Sequence, residues 1–412
     1  MKLPSGRSVG RAPVVAAWSF VTCAAIACGQ VTVAGNSSGG GHDAGAHPSD
    51  ATFTRHDSRA PDAYLAHDAG GDAPSTAISP PPLLCDSSVP DASPPAQSPV
   101  VLVTDANPIT SFAIDATHIY WSTGVSLAGN GQISKCPIGG CAGSPTILAT
   151  QQLNPQGLVV SGGSLYWADD NAVTLMTCGV DCQDDATVVY NFDASTVRAF
   201  AIQGSEAFFF GDPTTDAPIL ECSTSGCAIP ATFASAQAYP SYMAATDAGL
   251  YWTNFGAQLA PSGVWVDGGV LTCPLEGCDG GPKVLAGNLS DPAYLVVNGG
   301  VAFWADSGFT SVLACSVAGC GGIPTLIATL PSMSLGSDVS ALAVDATDVY
   351  VCTIGSNMEI LRSPRGGCPS RTTVLYSTSY KPDPQLSQAI AVDATHVYFL
   401  SANATQILAL PK

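Results

Sequence analysis

Hydrophobic and polar positions follow one short pattern along this chain, and the pattern returns seven times between about residue 98 and residue 412. Each repeat has a run of small apolar residues, a polar turn, a pair of aromatic or large apolar residues, a loop and a Gly- and Pro-rich turn. The aromatic pair recurs every 42 to 52 residues, from Tyr120-Trp121 to Tyr398-Phe399. A repeat of this length predicts a β-propeller or a similar array, because no unit can bury its apolar face alone.

Within each repeat the pattern predicts four strands, named A to D. Strand A is the small apolar run, such as residues 157–160, and it lies next to the central axis, where the blades converge. Strand B holds the aromatic pair, whose two side chains point to opposite faces of the sheet. Both faces must therefore be covered, as happens when blades stack on each other. The predicted fold class is all-β: a seven-bladed β-propeller with four-stranded antiparallel blades.

The two ends of the repeat region predict how the ring closes. The seventh repeat stops at Leu410-Pro411-Lys412, where the other repeats turn towards strand D, so it lacks a fourth strand. The segment 98–102 precedes the first complete repeat and matches residues 144–148, a strand D. We therefore expect the N-terminal segment to complete the last blade and to remove the open edge of the ring.

The turn between strands A and B carries a motif that can be compared with known repeats. Asp115-Ala116-Thr117-His118-Ile119-Tyr120-Trp121 returns in similar form at Asp345 and at Asp393. This motif resembles the YWTD and NHL class of β-propeller repeats, and the resemblance covers residues 98–412. The chain differs from the YWTD family in having seven units instead of six and in carrying cysteines at the C–D turns. With these cysteines behind an Asp/Ala/Gly linker, the resemblance implies a secreted or lipid-anchored bacterial protein.

The first 28 residues are typical of an export signal. Lys2, Arg7 and Arg11 precede an apolar stretch that is too short for a spanning helix. The residues that lead to Cys28 form a lipobox, in which the Cys28 thiol would be acylated; Cys23 fits less well, and an ordinary signal peptide is the alternative. Several acyl chains suffice for stable anchoring. We expect a protein that is lipid-anchored to the bacterial outer membrane, or secreted.

Residues 29–97 have a different composition from the repeats. They are rich in Ala, Ser, Pro, Gly and Asp and contain few large apolar residues, so they cannot bury enough surface to offset chain entropy. We interpret them as a disordered linker between the signal peptide, 1–28, and the propeller, 98–412. Four histidines lie in this linker and leave a weak metal-binding tract as an alternative to a solvated spacer: His42, His47, His56 and His67.

Charge limits the classes of partner. Only 11% of residues are charged, and the formal net charge is −19. Such an acidic chain is unsuited to nucleic acid or to an anionic membrane surface. We expect a monomer that meets the membrane only through its lipid anchor and whose partner is a protein or glycan at the cell surface.

Ten of the 15 cysteines form local pairs that bracket the C–D turns. Facing positions across such a turn bring two Cα atoms within disulfide reach, and an exported protein keeps disulfides. Metal ligation is the alternative, but one pair per blade cannot converge on one ion. The predicted disulfides are Cys136–Cys141, Cys178–Cys182, Cys222–Cys227, Cys273–Cys278 and Cys315–Cys320. In the sixth repeat Ser363 replaces the first cysteine, and the pairing of Cys85, Cys352 and Cys368 stays open.

Recognition is expected where the repeats differ. In propellers the B–C and D–A loops share one face, here the variable-loop face, and variable loops on a rigid scaffold usually carry binding. Trp265 lies off the repeat pattern in the longest B–C loop, 254–269, and is our first candidate contact; packing within a long hairpin is the alternative. Further candidate ligand-binding residues are Asp169, Asp170, Asp212, Asp216 and Asp267. The first four occupy equivalent loops and could hold Ca²⁺, with solvated turn residues as the alternative. No other cofactor is expected.

The sequence gives no catalytic residue. His118 and His396 are the two histidines of the repeats, and both occupy the repeated A–B turn, where a turn role comes first. Our leading hypothesis is a non-enzymatic, surface-anchored propeller that binds a protein or glycan through the variable-loop face. One alternative is a hydrolase or lyase whose acidic residues meet at the channel mouth, which three or more buried carboxylates there would favour. The other is a structural envelope protein with a featureless face.

Overall fold

The computed structural model describes most of the chain from residue 98 onward. The described ranges are 98–124, 129–141, 144–169, 173–192, 197–211, 214, 216–259, 264–278, 280–306, 310–330, 338–355, 357–379 and 389–412, without the side chains of 258, 259, 264–266 and 338. All of them belong to one compact unit of the chain. The predicted signal peptide, its lipobox Cys28 and the predicted linker lie outside the described residues.

The described residues form seven four-stranded antiparallel sheets, one per blade, as predicted. Blades 1 to 3 consist of β2 (Ile109–Ile114), β3 (His118–Thr123), β4 (Gly131–Pro137), β5 (Thr146–Gln152); β6 (Pro155–Ser161), β7 (Ser164–Asp169), β8 (Thr174–Gly179), β9 (Thr187–Asn191); and β10 (Ala199–Gln203), β11 (Glu206–Phe210), β12 (Ala217–Ser223), β13 (Ala231–Gln237).

The remaining blades follow the same order from strand A to strand D. Blades 4 to 6 consist of β14 (Pro240–Thr246), β15 (Gly249–Asn254), β18 (Gly268–Cys273), β19 (Lys283–Leu289); β20 (Ala293–Asn298), β21 (Val301–Asp306), β22 (Ser311–Ser316), β23 (Thr325–Thr329); and β24 (Asp338–Val344), β25 (Asp348–Ile354), β26 (Met358–Pro364), β27 (Thr373–Thr378). A hairpin of β16 (Ala257–Leu259) and β17 (Val264–Val266) extends the B–C loop of blade 4.

Blade 7 combines the two ends of the repeat region. Its strands are β28 (Ile390–Val392), β29 (His396–Leu400), β30 (Gln406–Pro411) and, as strand D, the N-terminal β1 (Val100–Thr104). Strands β1 and β30 pair antiparallel from Val100 opposite Ala409 to Thr104 opposite Gln406. The predicted closure of the ring is therefore confirmed.

Helical structure is minimal in the described residues. One 3-10 turn, Pro369–Arg371, lies in the C–D turn of blade 6. No helix among the described residues is long and apolar enough to cross a membrane.

The aromatic pairs of the B strands form the core between blades. Four tryptophans of these pairs are almost completely buried: Trp121, Trp167, Trp252 and Trp304. The buried apolar residues fall into seven clusters, and each cluster joins two adjacent blades. One of them packs Val103 of β1 and Ile407 of β30 against Trp121 of blade 1. Because every sheet is covered on both faces by its neighbours, the ring is held by blade stacking.

The A–B turn of blade 1 explains its repeated sequence. Asp115 Oδ1 accepts hydrogen bonds from the amides of Thr117 and His118, and Oδ2 accepts one of 2.8 Å from the Tyr120 hydroxyl. Burial alone would raise the pKa of Asp115, but these hydrogen bonds outweigh it and lower the pKa. The same contacts recur at Asp393. His118 therefore belongs to a structural turn.

The five predicted disulfides form. Their Cα atoms are 5.3 to 5.8 Å apart, within the normal range for a disulfide. In blade 6, Ser363 stands in place of the first cysteine, and its hydroxyl donates a hydrogen bond of 2.9 Å to the carbonyl of Ile327 in blade 5. Cys368 is disulfide-bonded, whereas Cys352 is a fully buried thiol, so these two residues do not pair with each other. Several disulfides in one ring fit an extracellular or exported protein.

Candidate functional site

The predicted contact residues lie on successive blades of the variable-loop face. Asp169 ends strand β7 and is 5% exposed. Asp216 precedes β12 and is exposed, and Asp267 is an exposed residue between β17 and β18 with a φ of 59°. Asp170 and Asp212 lie outside the described residues. The candidates thus share a face but come from blades 2, 3 and 4.

The part of the chain that the structure describes contains no cluster of ligands for the predicted Ca²⁺. No three His, Cys, Asp or Glu side chains there are arranged to hold a metal ion. Since Asp170 and Asp212 are not among these residues, the proposed contribution of these two carboxylates stays a prediction.

Trp265 lies in strand β17, opposite Gln258 of β16. Its side chain is not among those described, so its role as a contact stays a prediction. The backbone shows why it departs from the repeat pattern: residues 257–266 form an additional hairpin between strands B and C of blade 4, with Ala257 opposite Val266. Blade 4 therefore presents more chain on the variable-loop face than a simple turn would.

A ring of polar residues lies at the variable-loop end of the B strands, two residues after the second member of each aromatic pair. Apart from Asp169, the residues at this position were not among the predicted site residues, although its fixed spacing from the aromatic pair identifies the position in the sequence. Six of the seven side chains are polar, and all six are at most 9% exposed. From blade 1 to blade 7 the residues are Thr123, Asp169, Gly211, Asn254, Asp306, Thr353 and Ser401.

Two tyrosines distinguish blades 4 and 5 from the rest of the ring. Both lie in strand A. In each blade one residue of strand A pairs with the first aromatic residue of strand B, and the tyrosine stands two residues before that strand A residue. From blade 1 to blade 7 this position holds Ser111, Gly157, Ala199, Tyr242, Tyr294, Ala341 and Ala389. The rings of Tyr242 and Tyr294 are tilted against each other with centroids 4.9 Å apart. The two blades therefore present an aromatic pair where the others have small side chains.

The backbone of Tyr294 is strained. Its φ is 53°, in the left-handed region that bulky residues rarely adopt. Gly157, at the equivalent position of blade 2, has a φ of 64° and no such cost. A tyrosine in a place that suits glycine indicates that its ring contributes something the fold alone does not require.

A pair of carboxylates lies at the end of blade 5 where strand A, with Tyr294, begins. Asp291 is in the D–A loop between blades 4 and 5, and Asp306 ends strand β21 of blade 5. The amide of Ser290 donates a hydrogen bond of 3.1 Å to Asp306 Oδ1. Burial raises the pKa of Asp291, and the nearby charge of Asp306 raises it further. Asp291 Oδ1 is buried and accepts no hydrogen bond from any described residue.

Asn254 holds the position in blade 4 that Asp306 holds in blade 5, but it belongs to the junction with blade 3. Its Nδ2 donates a hydrogen bond to Gln237 at the end of strand D of blade 3, and its Oδ1 is buried without a donor among the described residues. Between blades 4 and 5 the backbones pack closely: a Cβ on Gly268 would lie 2.9 Å from both the Phe255 carbonyl and the Pro292 ring. We name the residues at this second junction the blade 4/5 site: Tyr242, Asp291, Tyr294 and Asp306.

Basic side chains are distributed unevenly over the described part of the ring, but net charge is not. The variable-loop face carries seven described carboxylates: Asp105, Asp169, Asp216, Asp267, Asp291, Asp306 and Glu359. Among the described basic side chains only Arg198 lies on this face. The other six are on strands or turns nearer the opposite face: Lys135, Lys283, Arg362, Arg365, Arg371 and Lys412. That side also carries eleven described carboxylates, so both faces are negative to a similar degree: Asp115, Asp181, Asp184, Asp185, Glu206, Glu221, Asp247, Glu276, Asp345, Asp348 and Asp393.

Three or more buried carboxylates together at the channel mouth would favour the hydrolase or lyase alternative. Asp169, Asp306 and Glu359 are all at most 8% exposed, but they belong to blades 2, 5 and 6. Asp306 instead lies close to Asp291, whose pKa its charge raises in addition to burial. Among the described residues, the buried carboxylates of this face therefore include a pair in blade 5, and the three buried ones do not share a blade.

Comparison with known proteins supports the fold but identifies no family. No protein-family model matches the chain, and no curated protein is similar to it in sequence. Virginiamycin B lyase from Staphylococcus aureus aligns over 76% of this chain and 98% of its own, with a TM-score of 0.55 and 12% identity. A streptogramin B lyase aligns over 76% and 96%, with a TM-score of 0.53 and 14% identity.

A third similar structure is a puromycin-hydrolyzing peptidase of Mycobacterium tuberculosis. It aligns over 79% of this chain and 56% of its own, with a TM-score of 0.50 and 12% identity. At such low identity these similarities show the fold alone, because one fold hosts many functions. The repeat class suggested by the Asp-Ala-Thr-His motif stays a prediction, whereas the seven-bladed propeller is confirmed.

Proposed function

We propose that this chain is a non-enzymatic binding protein, exported and lipid-anchored through Cys28, which holds a protein or glycan ligand on the variable-loop face of its propeller. The observation that carries the proposal is the blade 4/5 site. It combines an aromatic pair, a strained tyrosine and a buried carboxylate oxygen of Asp291 without a donor among the described residues, at one junction of an otherwise regular ring. Binding sites typically join apolar and aromatic surface with a few placed polar groups.

The remaining features support a tethered binding role. The disulfides fit an exported protein, and residues 29–97 would act as a spacer between the anchor and the ring. A flexible linker of that composition lets the variable-loop face reach ligands away from the membrane. The hairpin of β16 and β17 enlarges that face next to the blade 4/5 site.

A second candidate function rests on the carboxylate pair. Two neighbouring carboxyl groups whose pKa values are separated by their environments are the usual arrangement for general acid–base catalysis. The pKa of Asp291 is raised by burial and by the charge of Asp306, which supports such a role for this pair. A hydrolase or lyase that uses these two residues is therefore our alternative, and a purely structural envelope protein is the third.

The test uses the full chain on a glycan array and a peptide array. The variant replaces Ala257–Val266 with Gly-Gly, which is sterically simple because these two residues face each other at the base of the hairpin. We expect saturable binding that the variant loses while its melting temperature is unchanged. Binding that survives the replacement, or its absence on both arrays, contradicts the proposal. Mass spectrometry that finds cleaved or eliminated products on the array favours the enzyme instead.

A further inference from the structure

We propose that the disulfide turn of blade 1, residues 136–141, is a redox-sensitive latch on β1, the strand that closes the ring. The Cys136–Cys141 bond lies within blade 1, but the turn that it holds contacts strand D of blade 7. Such a latch is independent of the proposed binding function, because it controls closure of the ring and not the ligand.

The turn reaches β1 through its backbone. The Cys141 amide donates a hydrogen bond of 3.0 Å to the Leu102 carbonyl. The two chains are so close that a Cβ on Gly140 would lie 3.0 Å from the same carbonyl oxygen and 3.2 Å from the Leu102 Cα. Gly140 has a φ of 105°, which suits glycine. Because Cys136, Cys141 and Leu102 also pack in one apolar cluster, the disulfide lies directly against the closing strand.

The Leu102 carbonyl is available because β1 has a bulge at this residue. The register of β1 against β30 shifts between Val101 and Val103, so Leu102 has no partner in β30. A backbone carbonyl that leaves the ladder needs another donor. The Cys141 amide supplies it, so blade 1 completes the hydrogen bonding of β1.

The same contact recurs around the ring, from the C–D turn of one blade to strand D of the preceding blade. The Cys227 amide donates a hydrogen bond of 3.3 Å to Val189 of blade 2, and the Asp184 amide donates one of 2.8 Å to Leu148 of blade 1. In blade 6 the Ser363 hydroxyl makes the equivalent contact with blade 5. In blade 1 the fastened strand is β1, which no turn joins to strand C of its own blade.

Reduction removes the covalent part of the latch. A dithiol reductant attacks one sulfur, the S–S bond breaks, and the reductant leaves as a cyclic disulfide while Cys136 and Cys141 take up two electrons and two protons. Cys141 is half-buried and Cys136 is 4% exposed, so the reductant meets Cys141 first. Without the bond the turn gains conformational freedom and holds Leu102 less firmly.

The latch also gives closure of the ring a time and a place. The cysteines of an exported chain stay reduced until the chain reaches an oxidising compartment. The turn would then fasten β1 only after export. This timing rests on the proposed export, whereas the latch itself does not.

The test is hydrogen–deuterium exchange of the full chain, followed by mass spectrometry of peptides that cover β1, β9 and β30. In the double variant Cys136→Ala/Cys141→Ala the β1 amides should exchange about tenfold faster than in the parent protein, because local opening of this strand becomes easier. Strand β30 should follow β1, since the two strands pair. Strand β9 should be unchanged.

The matched control is Cys222→Ala/Cys227→Ala. This disulfide has the same sequence separation of 5, and its turn fastens β9 of blade 2. The control should speed exchange in β9 and leave β1 unchanged. Unchanged β1 exchange in Cys136→Ala/Cys141→Ala, or equal acceleration of β1 in both double variants, overturns the latch.

A second comparison keeps every cysteine, so it decides the matter even if a double variant does not fold. Gly140→Ala places a Cβ against Leu102 and should speed β1 exchange several-fold. Gly277, in the C–D turn of blade 4, has a similar φ of 125°, but a Cβ there meets no described atom within 4 Å. Gly277→Ala should therefore leave β1 unchanged. If β1 in Gly140→Ala exchanges as in the parent protein, the turn does not hold the strand.

Reduction of the parent protein tests the redox sensitivity directly. Dithiothreitol is added in steps, free cysteines are alkylated at each step, and exchange of β1 is measured in parallel. We expect β1 to open as Cys136 and Cys141 become alkylated. Protection of β1 that persists when both cysteines are alkylated overturns the redox sensitivity.

Discussion

The indole nitrogen of Trp252 donates a hydrogen bond of 2.9 Å to Gln237 Oε1, which lies at the end of strand D in the preceding blade. Trp167 and Gln152 repeat the relationship at 3.0 Å, again across one blade junction. Both glutamines stand fifteen residues before the tryptophan and three before a proline. Each hydrogen bond therefore connects the D strand of one blade to the B strand of the next. Without it, the indole N–H would be buried without an acceptor.

Blade 5 lacks this hydrogen bond, and we predict that it can be restored. Leu289 occupies the glutamine position, and Trp304 Nε1 is buried without a partner among the described residues. Leu289→Gln should raise the free energy of unfolding by about 1 kcal/mol, the net value of one hydrogen bond. Urea denaturation measures it.

The matched variant is Gln237→Leu, which removes the acceptor for both Trp252 and Asn254. It should lower the free energy of unfolding by about 1–3 kcal/mol, because buried donors lose their partner. If Leu289→Gln destabilises the protein as much as Gln237→Leu does, the side chain does not reach Trp304 and the prediction is wrong.

Deleting residues 98–105 should destabilise the whole ring. The deletion removes β1, its pairing with β30 and the buried Val103, and it leaves blade 7 with an open edge. We expect the melting temperature to fall by about 10 °C or more, since each kcal/mol corresponds to about 2–4 °C in a domain of this size. Differential scanning calorimetry tests this, with deletion of residues 88–95 from the predicted linker as the control. Equal melting of the two chains would falsify closure by β1.

Acid should weaken the contact between blades 6 and 7. Burial alone would raise the pKa of Asp345, but Lys412 Nζ at 2.5 Å and the amides of Thr347 and Asp348 outweigh it and lower the pKa to about 2. A folded pKa below the unfolded value of 3.8 stabilises the protein above about pH 4. That stability is lost as the pH falls from about 4 towards 2.

Lys412→Met isolates this contribution, since it keeps an apolar stem and removes the charge. It should lower the free energy of unfolding at pH 7 by about 1 kcal/mol, a value that allows for partial exposure of the pair. The variant should also lose less stability between pH 4 and pH 2 than the parent protein. Urea denaturation at several pH values provides the comparison, and parallel curves for both proteins would count against the assignment.

Much of the fold is encoded locally and was therefore predictable. The aromatic pairs mark every B strand because both faces of a blade are covered, and Trp121 and Trp167 are buried as that argument requires. The missing last strand and the match of residues 98–102 to a strand D predicted the pairing of Val100 with Ala409. The five disulfides were predictable from the local cysteine pairs, because a short turn brings the two Cα atoms within disulfide-bonding distance.

The blade 4/5 site was not predictable in the same way. Asp291 and Tyr294 come from blade 5 and the loop before it, Tyr242 comes from blade 4, and only packing of blade 4 against blade 5 brings the two tyrosine rings together. Tyr242 and Tyr294 looked like ordinary strand residues until strand pairing showed that five blades have small residues there. The candidates chosen from loop variation alone, such as Asp216 and Asp267, share the face but are exposed on separate blades.

The cysteines of blade 6 give the last prediction. Cys368 is disulfide-bonded, and every other described cysteine is either in one of the five local disulfides or, for Cys352, a buried thiol. Cys23 and Cys28 belong to the predicted signal peptide, so we predict that Cys368 pairs with Cys85. Thiol titration in denaturant without reductant should then find one thiol per exported chain, from Cys352, and almost none in the native protein. Cys85→Ser should raise the count in denaturant to two by releasing Cys368. A count that stays at one would show that Cys368 has another partner.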